Sequence, residues 1–442
     1  MNVKRKKLYI ETYGCQMNVA DSEVVASILK DEGYDVCTDA AGADLILVNT
    51  CSIRDNAEKK VLARGRQLQA LKRKNPNLRV GIIGCMAERL NETIFEKLAG
   101  VDLLAGPDSY KKLPELLKEV ESHQKASDVI LSTTETYEDI DPEHFQTGSI
   151  TAFVSIMRGC NNFCSYCVVP YTRGRERSRP ASSIMHEIKL LAEQNFKEIT
   201  LLGQNVNSYH VIEDSTEYRF PALLDKVAKE FPMMRIRFAT SHPKDLSEEL
   251  VKIMAKNDNI CKSMHLPVQS GSDAVLQRMN RKYTSAEYLK KIDLLRKHMP
   301  DITISTDVIT GFCGETDEDH LATIELMKKA DFYYAYMFKY SKRDGTAAAK
   351  MQDDVPEETK SERLTEIIKV QQELSLQNNK RDIGKTFEVL VEGCSKRSKK
   401  QMFGRTGQNK VVVFDAENLI PGTFVKTIIT DCSTATLKGK IV

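Results

Sequence analysis

The pattern of hydrophobic and polar positions changes character three times along the 442 residues. In the first stretch, short apolar runs that suit buried strands alternate with segments of helical periodicity. The expected strands are Leu8–Thr12, Asp44–Asn49 and Arg79–Ile83, and the expected helices between them are Asp21–Glu32 and Ala57–Lys74. This βαβ alternation predicts a parallel sheet in an N-terminal α/β domain, residues 1–122.

A polar, acidic stretch at 123–148 has little periodicity and is predicted to be a linker. The alternation then resumes. Strands are expected at Thr151–Met157, Glu198–Leu202, Arg235–Ala239, Ser263–Val268, Thr303–Ile309 and Asp331–Phe338. Six β/α units predict a partial (β/α)6 barrel over 149–379, with its chemistry at the carboxyl ends of the strands. A full eight-unit barrel would need two more strands, which the pattern does not supply.

The last segment, 380–442, has short β-rich runs separated by Gly and Asn. They are Thr386–Glu392, Lys410–Phe414 and Gly422–Thr430, and they predict a small antiparallel β-barrel. This segment carries a net charge of +6, whereas the whole chain carries only +2. A nucleic-acid surface would therefore have to be a local basic patch.

Composition places the chain among cytoplasmic globular proteins. Hydrophobic residues make up 41%, which is enough for a sizeable core, and no apolar run approaches the eighteen or so residues of a membrane span. The apolar run near the N-terminus is too short for a signal peptide. An odd count of eleven cysteines in a long chain argues against a disulfide scaffold and for metal ligands in a reducing compartment.

Three of those cysteines form a C-x3-C-x2-C array: Cys160, Cys164 and Cys167. They follow the first expected barrel strand, so they belong at the barrel mouth. A structural zinc site would need a fourth ligand, and neither His nor a fourth Cys is nearby. Three thiolates can instead hold a [4Fe–4S] cluster and leave one iron open to a small molecule.

A second set is spread through the first domain. Cys15, Cys51 and Cys85 each follow an expected parallel strand. Because parallel strands bring their carboxyl ends to one edge of a sheet, these three side chains should meet there. They predict a second three-ligand cluster, and the alternative is three ordinary buried cysteines.

The C-x3-C-x2-C spacing, with Tyr166 in the aromatic position, is similar to that of the radical S-adenosylmethionine (SAM) superfamily. The resemblance implies that SAM chelates the open iron and is cleaved to a 5′-deoxyadenosyl radical. Residues at strand ends are the expected SAM contacts, together with Tyr166. They are Gly203, Gln204, Asn205, Gln269, Asp307 and Gly311.

Over essentially its whole length the chain resembles the methylthiotransferase family. Segments Tyr13–Asn18, Asn49–Arg54 and Gly84–Ala87 resemble its three N-terminal cysteine motifs, and the tail resembles its TRAM domain, an RNA-binding barrel. Segments Cys167–Gly174, Leu202–Tyr209 and Thr240–Pro243 favour the branch that acts on tRNA isopentenyladenosine at position 37. Cys313 stands where the family usually has Pro.

The resemblance implies that the auxiliary cluster donates sulfur, that one SAM methylates it and that a second SAM provides the radical. It implies three kinds of partner: the tRNA anticodon stem-loop, a flavodoxin or ferredoxin-type electron donor, and a sulfur donor. Two alternatives use the same chemistry, on threonylcarbamoyl-adenosine of tRNA or on a ribosomal-protein aspartate. Arg175–Arg177 drifts toward the threonylcarbamoyl branch. A non-enzymatic iron–sulfur carrier or redox-sensing RNA-binding protein is a third reading.

Basic residues mark the expected phosphate contacts. They are Arg173, Arg175 and Arg179 after the cluster motif, and Arg397, Lys399, Lys400 and Arg405 in the tail.

Overall fold

The computed structural model describes residues 5–52, 55–122, 124–145, 148–395, 398–416 and 419–442. The first domain is built on strands β1 (Lys6–Tyr13), β2 (Tyr34–Val36), β3 (Leu45–Thr50), β4 (Arg79–Gly84), β5 (Leu103–Ala105) and β6 (Ala126–Asp128). Its helices are α1 (Gln16–Asp31), α2 (Asp55–Lys74), α3 (Cys85–Leu90), α4 (Thr93–Lys97) and α5 (Leu113–Glu121).

All pairings in this sheet are parallel, in the order β2-β1-β3-β4-β5-β6. Every residue of β3 is buried, as expected for a central strand covered by helices on both faces. The order of the strands reverses between β1 and β3, and such a switch point leaves a crevice at the carboxyl ends. Helix α1 begins five residues before its predicted start, at the residue after Cys15.

The segment expected to be a linker, 123–148, is partly a component of the first domain. Its residues 126–128 form β6 at the edge of the sheet. Tyr137 is buried, stacks on Tyr110 and donates a hydrogen bond to the Pro107 carbonyl. The polar composition of the segment did not predict this packing, because one buried aromatic residue is enough to anchor an otherwise hydrophilic segment.

The second domain has strands β7 (Thr151–Ser155), β8 (Met157–Arg158), β9 (Arg177–Ser178), β10 (Glu198–Leu202), β11 (His210–Glu213), β12 (Thr216–Arg219), β13 (Arg235–Phe238), β14 (Ser263–His265), β15 (Thr303–Thr310) and β16 (Tyr334–Lys339). Its helices are α6 (Val169–Thr172), α7 (Ala181–Glu193), α8 (Phe220–Glu230), α9 (Glu248–Lys256), α10 (Asp273–Arg278), α11 (Ser285–His298), α12 (Asp317–Ala330) and α13 (Glu357–Lys380).

Six of these strands form the open barrel that the sequence predicts. Parallel pairing joins β7, β10 and β13 on one side and β14, β15 and β16 on the other, and a parallel bridge between Ile236 and Ile260 connects the two halves. Strand β16 starts three residues later than predicted because Asp331, in the left-handed conformation, ends α12. One large core lies between the strands and the surrounding helices.

The tail is a closed barrel of β17 (Thr386–Ser395), β18 (Ser398–Thr406), β19 (Val411–Asp415), β20 (Phe424–Cys432) and β21 (Leu437–Ile441). Strands β18 and β21 were not in the predicted set. The pairing is antiparallel except between β19 and β21, which are parallel. The predicted small barrel is therefore confirmed, and β19–β21 is its one parallel pair among the described residues.

The small barrel covers the amino-terminal end of the large one. Arg235 and Arg237 on β13 donate hydrogen bonds of 2.8 Å to the carbonyls of Arg405 and Thr406. Thr303, the first residue of β15, donates a 2.6 Å hydrogen bond to the Gln408 carbonyl. The β18–β19 turn therefore forms the floor of the central chamber and leaves its carboxyl-end mouth to the first domain.

Candidate active site

The three cysteines of the first domain lie at the ends of neighbouring strands. Cys15 is the N-cap of α1 immediately after β1, Cys51 directly follows β3, and Cys85 is the first residue of α3 after β4. Cys15 and Cys51 are hydrogen-bond partners, and the charge of Cys15 acts on Cys85. A methyl group on Gly14 would come within 2.9 Å of the Cys51 Cβ, so this close approach requires glycine.

The second triad lies in the loop that leaves β7 and β8 at the barrel mouth. Cys160, Cys164 and Cys167 act electrostatically on one another, as expected for three thiols around one centre. Ser165 anchors the loop by donating its backbone NH to the Met279 carbonyl and its hydroxyl to the Arg278 carbonyl. Gly159 has a φ of +78°, and a side chain there would collide with the Arg175 backbone.

A buried arginine faces each triad. Arg173 donates from Nε to the Cys85 sulfur at 3.2 Å and from Nη2 to Asp21 at 2.7 Å. Arg281 donates from Nη1 to the Cys164 sulfur at 3.3 Å and from Nη2 to the Pro267 carbonyl. Each guanidinium places a fixed positive charge beside groups that become anionic when they bind metal.

The thiol pKa values differ according to their surroundings. Hydrogen bonding with Cys51, assisted by the charge of Arg173, lowers the pKa of Cys15 to about 6. Burial raises the pKa of Cys167 to about 12 and raises the pKa of Cys160 and of Cys85. Buried thiols of this kind ionise when a metal supplies the compensating charge, so loading the site releases protons.

The two triads open toward the same chamber. Cys15, Met17 and Ala20 pack with Phe153 on β7, Leu202 at the end of β10 and Ala239 just after β13. Arg173, six residues after Cys167 in the chain, contacts Cys85 of the other triad. Both cysteine triads therefore lie at the same mouth of the barrel.

Comparison with known proteins identifies the family. Residues 7–106 match the Uncharacterized protein family UPF0004, residues 154–327 the Radical SAM superfamily, and residues 380–442 the TRAM domain. A tRNA-2-methylthio-N(6)-dimethylallyladenosine synthase from Parabacteroides distasonis is 56% identical over 98% of this chain and 95% of its own. The chain belongs to the tRNA-2-methylthio-N(6)-dimethylallyladenosine synthase family. The synthase of Porphyromonas gingivalis is 53% identical over 100% of this chain and 96% of its own.

Among solved structures, a radical SAM methyltransferase has a similar fold. TsrM from Kitasatospora setae, solved with cobalamin and a [4Fe-4S] cluster, has a TM-score of 0.59 at 14% identity, over 76% of this chain and 75% of its own. At this identity the likeness concerns the fold alone. Among the described residues, no helix combines the length and apolarity needed to span a membrane.

The residues at both triads fit the clusters and SAM that the synthase family implies. Nη1 of Arg173 is buried and has no hydrogen-bond partner among the described residues, and a cluster sulfur would provide one. Within the residues that the structure describes, no three His, Cys, Asp or Glu side chains lie close enough together to share one metal ion. A cubane binds its thiolates at separate corner irons, so a wider set of sulfur atoms suits it.

The expected SAM contacts divide into two groups. Gln204 and Gln269 each bury a side-chain oxygen that has no partner within the described chain, and Gln269 has a strained φ of +73°. These two therefore provide unused acceptors at strand ends, where the sequence predicts SAM contacts. Asn205, in contrast, is occupied: it donates to Asp245 at 2.7 Å and accepts from the His242 backbone at 3.1 Å, so it supports the loop.

The other expected SAM contacts line the mouth of the barrel or pack beside it. Asp307 lies 3.5 Å from His265 in the chamber, and Tyr166 packs in a small apolar cluster with Phe312. A side chain at Gly203 would collide with Met157, and one at Gly311 would collide with Lys360, so close packing requires glycine at both positions.

Two of the expected RNA contacts are wrong. Arg173 is buried against Asp21, and Arg179 is buried in an ion pair with Glu187, so neither can reach a phosphate. Arg175 is exposed and lies over the Phe163 ring at 4.4 Å. Lys400 is also exposed, and Arg405 is half-buried in an ion pair with Glu392. Arg397 and the Lys399 side chain lie outside the described residues.

Sequence reasoning missed the polar interface between the first two domains. Asp21 accepts hydrogen bonds from both Arg158 and Arg173, and Asp108 accepts two from Arg177. Helical periodicity placed Asp21 at the start of a helix, where an acidic residue is unremarkable. The aspartates and arginines are more than fifty residues apart, so only the tertiary fold pairs them.

Replacing Arg281 with Gln is expected to lower the reduction potential of the cluster at Cys160, Cys164 and Cys167 by about 60 mV, equivalent to about 1.4 kcal/mol for one electron. The reason is that Arg281 donates to the Cys164 sulfur and so stabilises the more negative reduced cluster. A redox titration followed by electron paramagnetic resonance measures the shift. Arg281→Lys keeps the charge and should shift the potential less; an unchanged potential in fully loaded Arg281→Gln would contradict the assignment.

Proposed function

We propose that this protein inserts a methylthio group at C2 of N(6)-dimethylallyladenosine in tRNA, at position 37 beside the anticodon. The observation that carries the proposal is the pair of cysteine triads opening on one chamber. Full-length similarity to enzymes that bear the synthase name supports the same conclusion. When bound, the two [4Fe–4S] clusters and SAM supply the electron, the radical and the sulfur, since adenine C2 offers no acid–base route.

The chain's own residues perform the remaining tasks. Cys160, Cys164 and Cys167 hold the SAM cluster, and Gln204 and Gln269 orient SAM through their unpartnered oxygens. Cys15, Cys51 and Cys85 hold the auxiliary cluster on the facing side, under α1. The hydrogen bonds from Arg235, Arg237 and Thr303 keep the floor closed by the small barrel, which limits the entry of water to the radical.

Basic residues bind the RNA backbone in this proposal. The exposed Arg175 is beside the mouth, and the exposed Lys400 and the half-buried Arg405 are on the small barrel, whose TRAM match supports an RNA-binding role. Contacts of this kind position the RNA without reading its sequence. A flavodoxin or ferredoxin-type protein delivers the electrons, a separate protein donates sulfur, and the reaction takes place in the cytoplasm.

The drift of Arg175–Arg177 toward the threonylcarbamoyl branch has little weight as a substrate signal. Arg177 is buried and accounted for by its two hydrogen bonds to Asp108. Arg177 stabilises the interface between the first two domains, so the presence of arginine at this position is explained by packing and not by the choice of substrate.

Mass spectrometry of digested RNA tests the proposal. Reconstituted protein is incubated anaerobically with SAM, dithionite and an anticodon stem-loop bearing dimethylallyladenosine, threonylcarbamoyl-adenosine or unmodified adenosine. We expect a nucleoside heavier by one methylthio group from the first RNA and a yield at least about tenfold lower from the others. Cys160→Ala is the inactive control. Product from the threonylcarbamoyl RNA alone, or 5′-deoxyadenosine with every RNA unchanged, would contradict the substrate assignment.

A further inference from the structure

Strand β16 displays a row of aromatic side chains that the packing of the barrel does not explain. Tyr334, Tyr336 and Phe338 are 45%, 47% and 43% exposed, whereas Ala335 between them is fully buried. Large apolar groups in alternation on one face of a strand normally lie in a core, so their exposure indicates a surface that a ligand covers.

The register of β15 and β16 shows which way this row points. Tyr334, Tyr336 and Phe338 lie directly opposite Ser305, Asp307 and Ile309 on β15. Thr303 belongs to the same alternating face and reaches the floor of the chamber through its bond to Gln408. The other face of β16 packs on α13. The aromatic row therefore lines the chamber wall from the floor toward the mouth.

A polar network borders the middle of the row. His265 on β14 is hydrogen-bonded through Nδ1 to the Ser305 hydroxyl at 3.0 Å, and its Nε2 lies 3.5 Å from Asp307. Its ring is nearly perpendicular to the ring of Tyr336, with the two centroids 5.8 Å apart. Beyond Asp307, Val308 forms a bridge with Gln269, one of the two residues with an unpartnered oxygen at the mouth. A flat ligand on Tyr336 would thus have hydrogen-bonding groups at its edge.

Positive charge follows the row in the chain. Lys342 is exposed on the loop beyond β16, whereas Lys339, the last residue of the strand, belongs to the opposite face and pairs with Glu357 of α13. An aromatic surface followed by a cation matches an unpaired nucleotide, whose base stacks and whose phosphate is anionic. An apolar protein partner would make no use of the histidine–aspartate network or of Lys342.

We propose that Tyr334, Tyr336 and Phe338 form the subsite for the target adenine, which stacks on Tyr336. The His265–Asp307 pair contacts the edge of the base. The apolar row beside Tyr336 receives the N6-dimethylallyl group, and this explains why three aromatic residues are present where one would suffice for stacking. This inference rests on the proposed function, because it supplies the place where the RNA base is held for the reaction.

The test measures binding and turnover separately. A stem-loop with fluorescent 2-aminopurine at the target position is titrated with holoprotein, without reductant, in wild type, Tyr336→Ala and Tyr336→Phe. Stacking quenches the fluorophore. We expect Tyr336→Ala to lose most of the quenching and to bind roughly tenfold more weakly, and Tyr336→Phe to behave as wild type. Tyr218→Ala, on the β11–β12 hairpin, is the matched control and should change neither quantity.

Turnover of the dimethylallylated stem-loop distinguishes failure of the adenine subsite from failure of the proposed function. Tyr336→Ala that keeps full iron content should show a raised KM for RNA, whereas Tyr218→Ala should keep the KM of wild type. If wild type makes methylthiolated product and Tyr336→Ala binds and reacts as well as wild type, the subsite is wrong and the proposed function stands. If wild type makes no product from any RNA, the proposed function itself fails, and this inference fails with it.

Discussion

Asp21→Ala should destabilise the protein by about 3–5 kcal/mol, because it leaves two buried arginines without their counter-ion. The Asp21 carboxylate is 1% exposed and accepts hydrogen bonds of 2.8 Å from Arg158 and 2.7 Å from Arg173. Arg158 comes from the short strand β8, which follows the barrel strand β7, and Arg173 from the turn after α6, so this one aspartate joins the first domain to the second.

The loss of stability in Asp21→Ala should extend to the cluster at Cys15, Cys51 and Cys85. Arg173 is held by Asp21 on one side and donates to Cys85 on the other, so the guanidinium will move when its anchor is removed. We expect Asp21→Ala to lose iron from the cluster at Cys15, Cys51 and Cys85 faster than from the other cluster. Anaerobic urea unfolding and iron analysis measure the two effects.

The pH dependence of this interaction has a definite sign. Burial by itself would raise the pKa of Asp21, but the two arginines outweigh it and hold the pKa below its usual value. A carboxyl with a depressed folded-state pKa stabilises the fold above its unfolded pKa of about 3.9 and loses that contribution as the pH falls through the folded value. The difference between wild type and Asp21→Ala should therefore be full at neutral pH and shrink in acid.

Asp141→Ala is the control. Its side chain is 60% exposed and faces His186, so we expect a change within about 0.5 kcal/mol. Equal urea midpoints for Asp21→Ala and Asp141→Ala at pH 7 would show that the interface does not depend on Asp21.

Cys15→Ala and Cys160→Ala are expected to separate the two halves of the reaction. Cys160→Ala should abolish 5′-deoxyadenosine formation and keep about half of the iron, because two thiolates do not retain a cluster that needs three. Cys15→Ala should also keep about half of the iron and should still cleave SAM, because its triad is separate from Cys160, Cys164 and Cys167. Neither variant should make methylthiolated RNA.

Iron and sulfide analysis, Mössbauer spectra and 5′-deoxyadenosine yield distinguish the variants. Cys37→Ala is a matched control: Cys37 lies in the same domain, and its thiol donates only a 3.5 Å hydrogen bond to the Asp39 carbonyl. It should keep full iron and activity. Full iron content in Cys15→Ala, or methylthiolated RNA from it, would contradict the assignment of Cys15 to a second cluster.

Much of this protein could be predicted from local pattern. Each strand of the large barrel has its own apolar run. In the first domain Cys15, Cys51 and Cys85 each follow directly on such a run, so their positions at strand ends predicted that they would meet. Strands β18 and β21 escaped because their sequences carry many polar residues, and a closed barrel buries only alternate positions of each strand.

Charge was the least reliable guide. A run of arginines after the cysteine motif predicted phosphate contacts, yet Arg173 and Arg179 are buried in ion pairs and only Arg175 faces solvent. Sequence identifies a cation but not its counter-ion, because the partner of Arg173 is 152 positions away.

By itself, then, the sequence determined the two cysteine triads, the order of the three folded units and the kind of chemistry, since these depend on residue type and short-range spacing. The tertiary structure alone decided that Arg173 and Arg281 each face one triad, that the small barrel closes the chamber floor, and that Tyr334, Tyr336 and Phe338 line its wall. Those features depend on contacts between residues that are far apart in the chain. Burial and strand register bring such residues together, and local sequence pattern encodes neither.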